Sequence, residues 1–560
     1  MPTLSWLGKK KIVNHHLDVP FHVLDKKYKF ESTVKNENNS SGNRIIHGDN
    51  LAVLKSLLPE FEGKVDCIYI DPPYNTGNEQ WVYNDNVNDP RIQKWLKKVV
   101  GKENDDLSRH DKWLCMIYPR LKLLQRLLSD TGLIFISIDN NEQAVLKLVC
   151  DEIFGISNYI STISCINNPK GRSDDKYFAT AHEYILVYKK KYDLDLEGFE
   201  PEEKVTKRYN KTDHLGRYRE IDLRKTGDAD RREDRPDMFY PFYFYKDSEV
   251  LSLSKIDIEE DFIEINPMKS DTEQGRWRWG KNEKTMRENF HNLTAVFMPK
   301  KQQWTVVEKD YLEGRSKIKP TTVWDFKDVN SERGTELFYS YMGFKKEDFP
   351  NPKPVGTIER CLKLLPNKDY IVLDSFAGSA TTAHAVLKLN AEDGGNRRFI
   401  LCEMMDYAET ITAERVRRAM DGYGEDKAKT EGLGGSFEYF ELGEPLFLEN
   451  DLLNESVGIE RIRQYVSYSE RIPVEQQLPL ENNISPSALG VNEQTLWLFN
   501  YDENAVTSLD LDFLGSLNLR EIKQRPSQYV IYADKCVLET KFMQDHGITF
   551  KRIPRDILRF

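Results

Sequence analysis

Asp71-Pro72-Pro73-Tyr74 follows directly on the apolar run Val65 to Ile70, which delivers a carboxylate, two prolines and an aromatic ring together at the end of a strand. Successive prolines fix φ and remove two backbone donors, so the turn offers carbonyl oxygens and a carboxylate without competing N–H groups. An amino group carries two protons and needs two acceptors; the Asp71 side chain and the Pro72 carbonyl are the candidate pair, with Pro73 stiffening the turn. The amine of a nucleobase is a poor nucleophile because its lone pair is delocalised into the ring, and accepting both protons favours the pyramidal form that can attack. In a duplex that amine is buried in pairing, so the base must be flipped out, and the Tyr74 face can stack on it and recover part of the unstacking cost. An ordinary strand-to-loop turn uses the same residue types. The preceding apolar strand, the aromatic ring and the continuation Asn75-Thr76-Gly77 favour chemistry, because open α/β sheets bind ligands at the carboxyl ends of their strands.

A second strand, turn and helix runs from Tyr370 to Asp374 through Ser375-Phe376-Ala377-Gly378-Ser379-Ala380-Thr381-Thr382. Small residues there let backbone approach a ligand, and a helix start aims N–H groups at it. The next strand, Phe399 to Cys402, ends at Glu403, whose carboxylate can accept from both hydroxyls of a ribose. Asp49, after the strand ending at His47, is open to two readings: a helix N-cap or a second group beside the same crevice.

To position these residues the chain needs a sheet. Strands are expected at Arg44 to His47, Val65 to Ile70, Leu133 to Ile138 and Glu183 to Tyr188, alternating with helices over Asn50 to Leu58, Trp113 to Leu128 and Glu142 to Phe154. The same rhythm returns from Pro354 to about Met420, with a helix over Val355 to Leu365, strands over Tyr370 to Leu373 and Phe399 to Cys402, and a helix from Ser379 between them. The fold class is therefore α/β: a Rossmann-like, doubly wound, mostly parallel sheet in two halves separated by an insertion. The expected organisation is an N-terminal extension (1–42), a first half (43–190), an insertion (191–350), a second half (351–449) and a small C-terminal domain (450–560).

With 560 residues, 39% hydrophobic and 31% charged, the chain can bury a large core. It has no run of eighteen apolar residues and its start lacks a signal-peptide pattern, so a soluble, cytoplasmic protein with no membrane partner is expected. The seven cysteines are scattered singly, which argues against disulfides and against a metal site. A net charge of −11 argues against uniform coating by nucleic acid but leaves room for basic, aromatic stretches at Lys204 to Arg235 and Arg276 to Lys301. No phosphate-binding GxxxxGK[ST] pattern and no Pro-Cys dipeptide occur, which excludes a helicase motor and weighs against cytosine C5 chemistry. Asp534, Glu539 and Lys541 only loosely imitate a nuclease constellation and read as chance.

The segments IIHGDNLAVLKSLLP, VDCIYIDPPYNTGN, KGRSDDKYFATAHEYILVYKK, PVGTIERCLKL and DSFAGSATTAHAVLKLN together make the chain resemble the β-class DNA amino-methyltransferases, and most closely the modification (Mod) subunits of type III restriction systems. The resemblance implies a circularly permuted methyltransferase fold that transfers methyl from S-adenosylmethionine to adenine N6. Asp71, Pro72, Pro73 and Tyr74 would hold the target base, and Asp49, Asp374, Phe376, Gly378, Ser379 and Glu403 would contact the cofactor. It places target recognition in the insertion, where Arg276-Trp277-Arg278-Trp279 would grip phosphates and stack on bases. It also implies double-stranded DNA as partner, a homodimer, and a separate helicase-nuclease (Res) subunit. Ala380 stands where the family pattern has glycine. Two rival readings remain: N4-cytosine methylation, since either exocyclic amine fits the same acceptors, and a DNA-binding specificity subunit without catalysis.

Overall fold

The computed structural model describes residues 3–39, 42–76, 90–173, 175–201, 206–270, 272–313, 317–425, 429–448, 451–522 and 524–555. They fall into two compact units, one made of Met1–Leu196 with Thr321–Phe560 and the other of Glu197–Pro320.

The first unit is built on a ten-stranded sheet: β1 (His22–Glu31), β2 (Arg44–His47), β3 (Val65–Ile70), β4 (Leu128–Ile138), β5 (Tyr159–Cys165), β6 (Glu183–Lys189), β7 (Val323–Trp324), β8 (Ile371–Asp374), β9 (Arg398–Glu403) and β10 (Ser436–Pro445). Their order across the sheet is β1-β10-β2-β9-β8-β3-β4-β6-β5-β7. From β10 to β4 every pairing is parallel. β6 runs antiparallel to both β4 and β5, and β1 closes the other edge antiparallel to β10. The sheet is thus mostly parallel with antiparallel margins. The central strands read as near-continuous apolar runs because both faces are covered, as a parallel sheet requires.

The covering helices include α1 (Asn50–Phe61), α2 (Arg109–Leu127), α3 (Gln143–Phe154), α4 (Val355–Lys363), α5 (Thr381–Asp393), α6 (Glu414–Asp421) and α7 (Ile459–Ser469). From β8 the chain passes through α5 to β9 on one side; from β3 it passes through α2 to β4 on the other. The chain therefore leaves the neighbouring pair β8/β3 in opposite directions. A crevice opens at the carboxyl ends of such a pair, and that is where doubly wound sheets take ligands.

Three departures from expectation have local causes. Residues 1–42 are not an appendage, since β1 pairs with β10 along its length; its run of exposed lysines suits an edge strand and hides the period-2 pattern. The separate unit ends earlier than 350, because β7 returns to pair parallel with Ser164 and Cys165 of β5 and buries Trp324 completely. α2 starts at Arg109, where Ser108 and Asp111 form a capping box, four residues before the apolar pattern becomes visible.

The C-terminal segment carries its own four-stranded sheet, including Gln528–Ala533, and joins the first unit through α7. There the Tyr468 hydroxyl donates to Glu62 at 2.8 Å and accepts from Arg126, also at 2.8 Å. Residues 197–320 form a three-stranded and a four-stranded sheet around Leu223, Phe242, Trp277 and Val306. Among the described residues no helix is long and apolar enough to cross a membrane, and no cluster of His, Cys, Asp or Glu could hold a metal ion.

Candidate active site

The turn after β3 is fastened from several sides. Trp113 of α2 donates its indole N–H to the Pro73 carbonyl at 2.6 Å. Asn75 sits in the left-handed region at φ 58°, a conformation asparagine tolerates better than most residues. Its amide donates to the fully buried carboxylate of Glu142, just beyond β4, and that carboxylate also lies 2.6 Å from His110 Nδ1. Gly77 lies outside the described residues.

Asp71 and Tyr74 are 7% and 8% exposed. The Tyr74 hydroxyl donates to Glu183 Oε2 at 3.0 Å and accepts from Lys353 Nζ, which also pairs with Glu183 at 2.6 Å and lies 3.4 Å from Asp71 Oδ1. The ammonium lies 4.8 Å from the centre of the Tyr74 ring, off its hydroxyl end. Burial pushes the Asp71 carboxyl up to about 6, with Lys353 pulling against it and Glu183 adding to it. Burial alone would lower the Lys353 ammonium, but Asp71 and Glu183 outweigh it and hold the charge on.

Beyond β8, Asp374 folds the second turn onto itself: one carboxylate oxygen accepts from the Phe376 amide at 3.0 Å, the other from the Thr382 hydroxyl at 2.5 Å. Burial raises this carboxyl to about 7. Gly378 and Ala380 both adopt left-handed backbone, φ 51° and 61°. That geometry explains why a glycine suits position 380 and why alanine there carries strain of about 1–2 kcal/mol. Glu403, at the end of β9, accepts from the amides of Gly378 (2.7 Å) and Met405 (2.9 Å), and burial pushes its carboxyl up to about 8. Ser379 is held from below by the fully buried Arg415, whose Nη1 donates to Ser379 Oγ at 2.8 Å and Thr381 Oγ1 at 2.7 Å; burial lowers this guanidinium to about 9.

Asp49 caps α1, accepting from the amides of Leu51 and Ala52 at 3.0 Å each, with Arg120 at 3.6 Å from its other oxygen. The neighbouring Asn50 donates to the Ser375 carbonyl at 3.1 Å, so the start of α1 braces the second turn. Asp71, Lys353, Asp374, Phe376, Gly378 and Ser379 line one cleft. The two turns that the sequence singled out thus meet at the β8/β3 switch point.

Arg276-Trp277-Arg278-Trp279 are placed otherwise. Trp277 is completely buried and donates its indole N–H to the Tyr240 carbonyl at 2.7 Å. Arg276 is 7% exposed and spends its guanidinium on the Ala229 carbonyl (2.5 Å) and Met238 sulfur (3.0 Å). Arg278 pairs with Glu308 at 2.7 Å, and its guanidinium lies 5.5 Å from the Trp279 ring. Arg276 and Trp277 are thus committed to the interior of residues 197–320 and present little to a phosphate or a base, while Arg278 and Trp279 are half-buried at its margin. Of the basic stretch Lys204 to Arg235, Lys204 and Val205 lie outside the described residues. Asp534 is consumed by a two-pronged pair with Arg555 at 2.6 Å on both arms, which is structural.

Reading the sequence missed Lys353, Glu183, Glu142 and Arg415. Lys353 had a signal, since Pro352-Lys353-Pro354 before a helix isolates one cation much as Asp71 is isolated. Glu183 had none: it opens its strand, and only the antiparallel direction of β6 brings a strand start to the cleft.

A family model described as DNA methylase, covering N6 and N4 methyltransferases, matches residues 65–470. The chain is 35% identical to the type III restriction-modification enzyme EcoPI Mod subunit of Escherichia phage P1 over 71% of this chain and 62% of that protein. It is 37% identical to the type II methyltransferase M.KpnI of Klebsiella pneumoniae over 65% of this chain and 81% of that one. With the StyLTI Mod subunit of Salmonella typhimurium it shares 34% identity over 65% of this chain and 53% of the relative. The matched part therefore spans less than two thirds of the length of either Mod subunit.

Proposed function

Since the chain belongs to the N6/N4 DNA methylase family, we propose that it transfers a methyl group from S-adenosylmethionine to N6 of an adenine in double-stranded DNA, as the modification subunit of a type III restriction system. The observation that carries this reading is the meeting of Asp71 and Gly378 in one cleft at adjacent parallel strand ends. An acceptor for amine protons and a turn suited to a nucleoside ligand then face a common space.

The residues of the second turn fit the cofactor. Glu403 has one amide donor on each oxygen and lone pairs to spare for ribose hydroxyls. The turn at Gly378 and Ala380 brings backbone close without side-chain bulk, and the start of α5 offers N–H groups to an anionic group. Bound there, S-adenosylmethionine supplies a sulfonium methyl open to direct attack. Asp71 accepts a hydrogen bond from one N–H of the flipped adenine amine and the Pro72 carbonyl from the other, which localises the nitrogen lone pair; one of these protons leaves the nitrogen after the methyl is transferred. Tyr74 stacks on the base, its hydroxyl anchored by Glu183 and Lys353. Lys353 opposes protonation of Asp71 and orients Tyr74, with Glu183 as its counter-ion; both are positioning residues. Aspartate at position 71 and the similarity to Mod subunits favour adenine over cytosine. By the same similarity the chain works as a dimer that can recruit a restriction subunit, with Asp49 bordering the cofactor from the start of α1.

The test is transfer of labelled methyl to duplex DNA by the wild type and by Asp71→Ala, with duplex binding measured on both. Transfer lost by Asp71→Ala with binding retained supports the reading; a wild type that binds DNA and transfers nothing supports a specificity subunit. Long-read sequencing of the methylated DNA identifies base and site, and modified cytosine would replace adenine in the assignment.

A further inference from the structure

The loop between β5 and β6 projects from the same edge of the sheet as the cleft. β4 and β5 are both antiparallel to β6, so β5 runs in the direction of β3 and β4 and ends beside their carboxyl ends. The return strand begins at Glu183, which accepts from the Tyr74 hydroxyl at 3.0 Å. Between them the chain forms a built hairpin tip. Asn168 donates to the Ala181 carbonyl and Arg172 to the Thr180 carbonyl, each at 3.1 Å, and Asp175 accepts from the Thr180 amide at 2.7 Å. Gly171, at φ 72°, packs so closely on Ala179 that a Cβ there would lie 2.5 Å from the alanine methyl.

This tip presents Tyr177 and Phe178 to solvent, 81% and 89% exposed; among the described residues no other large apolar side chain exceeds 63%. An isolated exposed aromatic needs no explanation, but two in succession on a braced tip beside a base-binding cleft do. Arg172 and Lys176 are exposed on the same turn, and the Lys176 ammonium lies 5.1 Å from the Tyr177 ring. Apolar rings flanked by cations suit a bent or opened duplex: the cations meet phosphates and the rings enter between base steps.

Resting on the proposed function, we infer that the hairpin tip of Arg172, Lys176, Tyr177 and Phe178 is a DNA-insertion element, in which the two rings wedge into the duplex beside the target and fill the stack that the flipped base leaves. A flipped nucleotide opens a gap lined by two base faces, and rings placed within a few residues of Glu183 are positioned to occupy it while Tyr74 receives the base.

The test uses the full chain and a duplex carrying the site mapped by sequencing. Because both rings are solvent-exposed, Tyr177→Ala/Phe178→Ala leaves folding intact, which an unchanged melting curve and unchanged S-adenosylmethionine affinity would verify. Methyl transfer to the intact duplex is expected to fall about tenfold or more, and most of the loss is expected to return when the target adenine faces an abasic site, where unstacking is partly prepaid. Arg172→Ala/Lys176→Ala should flatten the salt dependence of duplex binding by about 0.9 in slope for each phosphate no longer neutralised. Equal transfer by wild type and the ring variant, or a loss the abasic duplex does not relieve, overturns the inference. A change of oligomeric state with duplex affinity unchanged would also overturn it, making the tip a protein contact. Should the wild type transfer no methyl at all, the proposed function fails by itself; the tip is then judged on duplex affinity alone, a tenfold loss in the ring variant supporting it and equality overturning it.

Discussion

Asp71 to Tyr74 and Arg276 to Trp279 look alike as strings of residues: each is a short run of charge and aromatic ring in a stretch that invites a nucleic-acid reading. Folding treats them in opposite ways. The first is carried to the carboxyl end of a central parallel strand, where helices diverge and leave a crevice, so its carboxylate is buried yet borders a cleft. The second threads through the middle of a small core, where Trp277 fills volume and Arg276 is spent on a carbonyl and a sulfur. Composition did not separate them; position relative to a strand end did. A ring and a charge signal binding only where the backbone leaves space in front of them.

The contrast can be broken by substitution, starting with the largest effect. Asp71→Ala should lower methyl transfer about a hundred- to a thousand-fold with duplex and cofactor binding retained, as expected for loss of a group that acts on the reacting nitrogen. Trp277→Ala should instead cost about 3–5 kcal/mol of stability by leaving a cavity. The loss should appear as early melting and rapid proteolysis within residues 197–320; a Trp277→Ala protein that keeps its melting curve but no longer binds DNA would restore the contact reading.

A third measurement sharpens the account of the cleft. Protonated Asp71 donates where it should accept, so activity should fall as pH drops through about 6, the value to which burial lifts this carboxyl. Lys353→Met removes the opposing cation and should move that fall to higher pH, whereas Glu183→Gln removes a like charge and should move it lower. A profile that moves the same way in both variants would remove Lys353 and Glu183 from the electrostatics of Asp71. The smallest effect is expected at Ala380, where Ala380→Gly relieves the left-handed strain at the expense of a more flexible unfolded chain; a gain of about 0.5–1 kcal/mol in thermal unfolding is expected.

The central strands and both turns were legible in the sequence because a parallel sheet covered on both faces writes itself as unbroken apolar runs, and β2 and β3 were placed to the residue. β1 and β10 were not: β1 is an edge strand rich in charge and loses that signature, β10 between β1 and β2 interrupts its apolar residues with glutamates, and their pairing joins residues more than four hundred positions apart. The site divides the same way. Asp71 follows its strand and Asp374 and Glu403 end theirs, so all three could be read directly. Glu183 opens its strand, and Arg415 reaches the second turn from α6, which follows β9, so both depend on topology that no local pattern encodes. Asp49 stayed open between cap and ligand, and the fold supplies the cap directly.

The central claim is that Asp71 accepts a hydrogen bond from the target amine in the cleft it shares with Gly378. The most direct measurement is a structure of the protein with a duplex bearing its mapped site and a non-reactive analogue of S-adenosylmethionine. The account predicts an extrahelical adenine with its amine about 3 Å from the Asp71 carboxylate and the analogue's ribose on Glu403. An amine held elsewhere, with Asp71 still facing Lys353 and no base against Tyr74, would contradict it.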